Sequence, residues 1–304
     1  MQDYDVVIIG GGPAGLSAGL YSSRALLKTL IVESGAVGGQ VTTTSDMENY
    51  PGSISDNAME LANRMKEQAL RFGTEIVTGR CESVKKVDSY FHIVTDKEEY
   101  KAKAVIIATG SQPRNIGCKG EQEFRGLGVS YCATCDANFF RGLHVVVVGG
   151  GDSAIDEGLY LTKFADKVTV VHRRDTLRAA KSLQKKAFTN LKMEFILDSV
   201  VEEIKGDGIV NAVVLRNVKT KERTELKADG VFSFVGYNPS SELFKDLVEV
   251  DGKGYIVSDE NMKTTVPGIF VAGDVRKKML KQVITAAADG AVAAISAEKY
   301  IVEQ

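Results

Sequence analysis

Apolar residues come along this chain in short continuous runs, each closed by small or acidic residues. The run YDVVIIGGGPAG at 4–15 ends in glycines, TLIVE at 29–33 in an acid, and KAVIIATG at 103–110 in Ala-Thr-Gly. LHVVVVGGG at 143–151 ends in glycines again, and IFVAGD at 269–274 in Gly-Asp. Unbroken Val/Ile runs of this length predict strands covered on both faces, as in a parallel sheet, rather than strands with one wet face. The segments that follow them, including DSAIDEGLYL and the small-residue-rich KQVITAAADGAVAAISAEKYI, carry a helical pattern. Alternating strand and helix predicts an α/β fold of doubly wound sheets. From 193 to 235 the segments MEFILDSVVEEI, GIVNAVVLRNV and GVFSFVG alternate instead, which predicts an added antiparallel sheet.

One strand–loop–helix–strand unit occurs twice. In the first copy a strand enters Gly10-x-Gly12-x-x-Gly15 and a second strand ends at Glu33. The glycines allow a tight turn, close approach of backbone to a pyrophosphate, and close helix–strand packing. The phosphates then lie at a helix N-terminus. An acid about 20 residues on accepts hydrogen bonds from ribose hydroxyls, so the first copy predicts a dinucleotide with an unmodified ribose. In the second copy Gly149, Gly151 and Ala154 stand at a constant offset of 139 from Gly10, Gly12 and Gly15. The same offset carries Glu33 onto His172, followed by Arg173 and Arg174, with Arg178 close behind. A carboxylate there repels a ribose 2′-phosphate, whereas guanidinium groups bind it through forked donors, so the second copy predicts NADPH. The alternative for the basic run is a solvated edge.

Asp274, after the small residue Gly273, ends a buried strand where ligands lie in such sheets; a capping role is the alternative. Ala108 closes another strand of the same unit. The fragments predict a discontinuous organisation, with 1–112 and 240–304 forming one domain and 113–239 inserted in it. Turn-forming residues at 110–113 and 236–239 mark the crossings.

Over 304 residues the net charge is −2, with 44% apolar and 26% charged residues, which offers no electrostatic basis for binding nucleic acid or an anionic membrane. No apolar run reaches the roughly 18 residues of a membrane span. The start, MQDYDVVIIGGG, puts acids before a short apolar run, unlike a secretory leader, so a cytoplasmic location is expected. In that compartment the pair Cys132 and Cys135 points to redox or metal chemistry. Zinc needs four ligands, yet Cys81 and Cys118 stand alone and His92, His144 and His172 form no pair, which favours redox. Isolated cysteines such as Cys81 and Cys118 are ordinarily small apolar fillers.

The motifs GGGPAG at 10–15, GGQ at 38–40, MENYPG at 47–52, ATG at 108–110, CATCD at 132–136, GGGDSA at 149–154, HRRDTLR at 172–178 and GD at 273–274 occur together and in this order. In this the chain resembles the low-molecular-weight, bacterial-type thioredoxin reductases over nearly its whole length. The resemblance implies FAD at the first unit, NADPH at the second, a cytoplasmic homodimer, and thioredoxin as protein substrate. By motif it places FAD against Gly10, Gly11, Gly12, Pro13, Ala14, Gly15, Glu33, Gly39, Gln40, Asn49, Ala108, Gly273, Asp274 and Gln282. NADPH falls to Gly149, Gly151, Asp152, Ser153, Ala154, His172, Arg173, Arg174 and Arg178. It further implies that Cys135 is the sulfur nearer the flavin and that Cys132 attacks the thioredoxin disulfide, with Asp136 as the acid. Two positions depart from the pattern: Lys281 stands where arginine is common, and Tyr237 where the turn often has histidine.

The chemistry is coherent. Flavin accepts hydride and passes electrons to sulfur, and thiol–disulfide exchange needs an attacking thiolate with a second thiol to resolve the mixed disulfide. Asp136 can move protons, or merely cap the turn. Because the cysteines and the nicotinamide must each come near the same flavin, roughly 3–3.5 Å for the reacting atoms, the inserted domain is expected to rotate about the crossings near 112 and 238. Ferredoxin as donor, another small redox protein as acceptor, and a non-enzymatic dinucleotide sensor are the competing readings; a sensor has no need of two thiols.

Overall fold

In the computed structural model the chain is described over residues 1–43, 46–47, 49–53 and 56–304. It divides into two compact units, Met1–Gln112 with Asn238–Gln304, and Pro113–Tyr237.

In the first unit five parallel strands lie in the order Glu75–Thr78, Thr29–Glu33, Gln2–Ile9, Glu99–Ile107, Ile269–Val271. Val6, Val7 and Ile8 are fully buried, as are Val105, Ile106 and Ile107 beside them, which is why these runs carry no alternation. The strand Glu99–Ile107 is longer than its parallel partners. Its first half pairs antiparallel with Tyr90–Thr95, which in turn pairs with Cys81–Val87. Helices Pro13–Arg24, Ala58–Arg71 and Val283–Val302 belong to this unit.

The first helix starts where Pro13 fixes its opening φ at a position needing no N–H donor. Gly10, at φ +109°, makes the turn out of the strand, and a Cβ on Gly15 would strike the Gly10 carbonyl. The far end is less well formed. Leu26 takes the left-handed position that usually holds glycine (φ +62°), while its side chain is exposed and repays nothing.

The second unit has an all-parallel sheet in the order Val129–Ser130, Gly230–Ser233, His144–Val148, Lys167–Val171, Met193–Ile196. The antiparallel sheet is confined to Ser199–Asp207, Ile209–Asn217 and Arg223–Lys227. Met193–Ile196 and Gly230–Ser233, expected in that sheet, belong to the parallel one. Gly230–Ser233 is buried at every position, so it reads as a central strand and not as a half-wet one. Where the units join, Arg114 N–H bonds the Gly236 carbonyl and Ser240 N–H bonds that of Gly110. Among the described residues no helix is long and apolar enough to cross a membrane.

Two substitutions in the first helix should move stability in opposite directions. Gly15→Ala forces a methyl group onto the Gly10 carbonyl and should cost about 1–3 kcal/mol. Leu26→Gly relieves the left-handed strain and should gain about 0.5–1 kcal/mol net of the added freedom in the unfolded chain. Urea unfolding of both variants measures each effect, and an unchanged or raised midpoint for Gly15→Ala contradicts the packing argument.

Candidate functional site

The carboxyl ends of the first unit's strands open on a cleft of about 360 Å³. Its lining includes Gly10, Gly12, Pro13, Ala14, Glu33, Gly39, Gln40, Ala108, Gly273 and Asp274. Glu33 is already at work: one carboxylate oxygen accepts from Gly11 N (2.6 Å) and the other from Gly35 N (2.7 Å). These bonds aim the acid across the loop, and each oxygen keeps a second lone pair for a hydroxyl donor. Gly11 and Gly15 shape the loop beneath the cleft. Asn49 and Gln282 meet each other, Nδ2 to Oε1 at 3.1 Å, and stand outside the lining. Glu48, inside MENYPG, lies outside the described residues.

Three observations fit a polar, elongated ligand. A Cβ added at Gly12 would meet nothing within 4 Å, so the backbone there borders open space. Asp274 Oδ1 and Ser111 Oγ are both buried without a hydrogen-bond partner, and both residues line the cleft. Buried polar atoms seldom stay unpaired in a native protein unless a ligand or water completes them. Burial holds the Asp274 carboxyl above the usual carboxylate range, against the pull of Lys278 and Lys281. Lys281 sits with its ammonium 4.0 Å from the centre of the Tyr255 ring, and burial pulls it below the usual lysine range.

The cleft also draws in Arg80, Cys81, Ser111 and Gln112, which sequence reading missed. Arg80 and Cys81 enter at the start of an antiparallel strand that was not foreseen, and Gln112 Oε1 accepts from Gln40 Nε2 (2.6 Å). Of these, Ser111 and Gln112 follow directly on the Ala-Thr-Gly motif, the one signal that pointed to them. Burial pushes the Cys81 thiol up to about 12 and the Cys118 thiol up to about 11, so both remain protonated and unreactive.

In the second unit Gly149 and Gly151 form the loop between His144–Val148 and the helix Asp152–Leu161. Asp152 accepts from Ala180 N (2.7 Å), and Arg178 N–H bonds the Gly150 carbonyl (2.6 Å), which fastens the HRRDTLR segment to the loop. Ala154 is buried in the glycine's place, Ser153 is exposed at the helix start, and Arg173, Arg174 and Arg178 are exposed. His172 differs from its neighbours. Its ring packs against Gly150 at 5% exposure, and burial, with the three arginines, holds it below the usual histidine range. A buried neutral imidazole supports the loop; the exposed guanidinium groups carry the positive charge.

Cys132 and Cys135 are joined in a disulfide across the short helix Ala133–Asp136, with Cα atoms 5.3 Å apart. Ser130 Oγ donates to Asp136 Oδ2 (2.5 Å) and accepts from Cys132 N (3.1 Å), so one hydroxyl ties the acid to the first cysteine. Burial raises the Asp136 carboxyl and the Ser130 bond opposes the rise. Sequence reading missed Ser130, since a serine before a cysteine motif gives no signal of its own. Tyr237, whose departure from the family pattern had no explanation, donates to the Tyr131 carbonyl (2.7 Å), one residue before Cys132. Tyr131 in turn donates to the buried Glu121, which also accepts from Ile116 N and Gly117 N at 2.8 Å each.

Residues 4–290 match the family model described as pyridine nucleotide-disulphide oxidoreductase. A thioredoxin reductase of Peptoclostridium acidaminophilum is 54% identical, over 98% of this chain and 97% of its own. That of Bacillus subtilis (strain 168) is 50% identical, over 99% and 95%. The crystal structure of thioredoxin reductase from Streptococcus pyogenes MGAS5005 superimposes with a TM-score of 0.96 at 48% identity, covering 99% of each chain. The chain belongs to the pyridine nucleotide-disulphide oxidoreductase family, among its low-molecular-weight thioredoxin reductases.

Proposed function

We propose that the protein is an NADPH-dependent thioredoxin-disulfide reductase that holds FAD in the first unit and NADPH at the second. The observation that carries the reading is the Cys132–Cys135 disulfide closed beside a half-buried carboxyl, in a chain with two dinucleotide loops of opposite charge at the ribose position. Flavin, when bound, accepts the hydride of reduced nicotinamide and supplies two electrons to sulfur.

The chain's own residues do the rest. The loop at Gly10–Gly15 takes the pyrophosphate on backbone N–H groups, Glu33 accepts from ribose hydroxyls, and Asp274 accepts from a further donor. Arg173, Arg174 and Arg178 select a phosphorylated ribose, while Glu33 at the first site repels one. Opening the disulfide consumes two electrons and two protons and leaves thiols on Cys132 and Cys135. Asp136, protonated over a wider range than an exposed aspartate, supplies a proton to the departing thiolate and takes one from the next attacker. The Cys132 thiolate then attacks a sulfur of oxidised thioredoxin, and Cys135 resolves the mixed disulfide, which re-forms the Cys132–Cys135 bond and releases reduced thioredoxin. Serving both partners requires the second unit to turn about the crossings near 112 and 238. The basic run favours NADPH over ferredoxin as donor. A cytoplasmic homodimer is part of the same reading.

Three measurements test it. Cys135→Ser should bind FAD and be bleached by NADPH yet reduce no thioredoxin; residual turnover contradicts the assignment. Arg173→Ala with Arg174→Ala should raise the KM for NADPH about 10–100-fold and leave NADH use unchanged, since each removes a charge-assisted bond to phosphate; equal losses with both nucleotides contradict it. Ser130→Ala removes a donor to the Asp136 carboxylate. The ionised form loses support, the pKa rises, and the acid limb of the pH profile for thioredoxin reduction should move to higher pH. An acid limb that stays in place or moves to lower pH shows that Asp136 does not set it.

A further inference from the structure

Next to the first unit's cleft four charged side chains meet, three of them largely dry and Asp274 33% exposed. Asp274, Arg276 and Lys278 lie on the turn after strand Ile269–Val271, and Asp289 lies in the C-terminal helix Val283–Val302. The side chains of Lys278, Asp289 and Arg276 are 9%, 10% and 13% exposed. Of the four only Asp274 lines the cleft.

The two carboxylates are treated very differently. Asp289 accepts from three donors: Gly273 N (3.1 Å) and Lys278 Nζ (2.9 Å) on Oδ2, and Arg276 Nη1 (3.1 Å) on Oδ1. Asp274 Oδ1 is buried with no hydrogen-bond partner, and the Lys278 ammonium forms only a longer ion pair with it, at 3.6 Å. Lys278 is thus a single cation between two carboxylates. In a site of low effective dielectric such a cation goes to the better-formed acceptor. Asp289 is held firmly enough to be that acceptor, because a Cβ on its neighbour Gly290 would strike the Ala14 carbonyl, so the two helices are in backbone contact there. Arg276 is secured independently by Ser258 Oγ (3.0 Å).

We propose that Asp289 is a positioning residue for the flavin site: by holding Lys278 and the Gly273 amide, it keeps the ammonium beyond hydrogen-bond distance of Asp274 and leaves that carboxylate as an acceptor for a hydroxyl or amide donor of the bound dinucleotide. The inference rests on the reading of the cleft as the FAD site. Without Asp289's charge, Lys278 has one carboxylate left to choose and its ion pair with Asp274 closes to hydrogen-bond distance, so that a ligand donor must displace the ammonium to bind.

The test is FAD binding to the apoprotein, followed by quenching of flavin fluorescence, with thermal unfolding of each apoprotein in parallel. Asp289→Asn keeps the shape and an acceptor for Gly273 N, and should weaken FAD binding about tenfold or more. Lys278→Met should bind FAD as well as the unmodified protein or better. The double variant should recover most of the affinity lost in Asp289→Asn. If Asp289 merely braces the fold, the two substitutions weaken binding together and no recovery appears, which overturns the proposal. Unchanged affinity in Asp289→Asn also overturns it. Should Asp289→Asn fail to fold, Lys278→Met decides alone, a tenfold loss showing that the lysine itself serves the ligand. Failure of the unmodified apoprotein to take up FAD instead overturns the functional reading on which this rests.

Discussion

The close approach of Gly15 to the Gly10 carbonyl is the contact on which the first unit depends. It lets the strand Gln2–Ile9 turn into the helix Pro13–Arg24 with no side chain in between, and the helix's unpaired N–H groups then face the cleft. A second backbone contact, Gly290 against Ala14, brings the C-terminal helix onto the same spot. Chain ends nearly 280 residues apart in sequence thus meet at one glycine turn, which explains why the unit is discontinuous. The second unit repeats the solution with a fully buried Ala154 where the first has Gly15.

Charge is the variable that distinguishes the copies. The acid at the end of the first unit's second strand is pinned by two backbone N–H groups, and its counterpart is a buried imidazole flanked by exposed arginines. The difference between the copies therefore resides in a few side chains at one strand end, while the backbone geometry is held in common. The redox motif adds a third kind of environment, in which a partly buried carboxyl is kept near a disulfide by one serine hydroxyl.

Much of this could be read from residues alone, for an identifiable reason. Strands buried on both faces announce themselves as apolar runs, and glycine loops carry steric requirements that few other residues meet, so the parallel sheets, both loops and the cysteine pair were legible. The errors arose where the signal is weak by nature. Gly230–Ser233 ends in serine and looked half-wet, yet it is a central strand. The tuck of the His172 ring against Gly150 is a matter of packing that no spacing records. Ser130, Arg80 and Asp289 were invisible because they belong to no motif and their roles appear only once the turns around them are folded.

The Tyr237 hydroxyl has one more implication. It bonds the peptide that leads into Cys132, and Tyr237 is the last residue of its unit before the chain crosses back. The sulfur pair is therefore mechanically leashed to the exit of its own unit: a displacement of the backbone there is felt a single peptide from Cys132. The phenol at this turn thereby couples the outgoing strand to the disulfide.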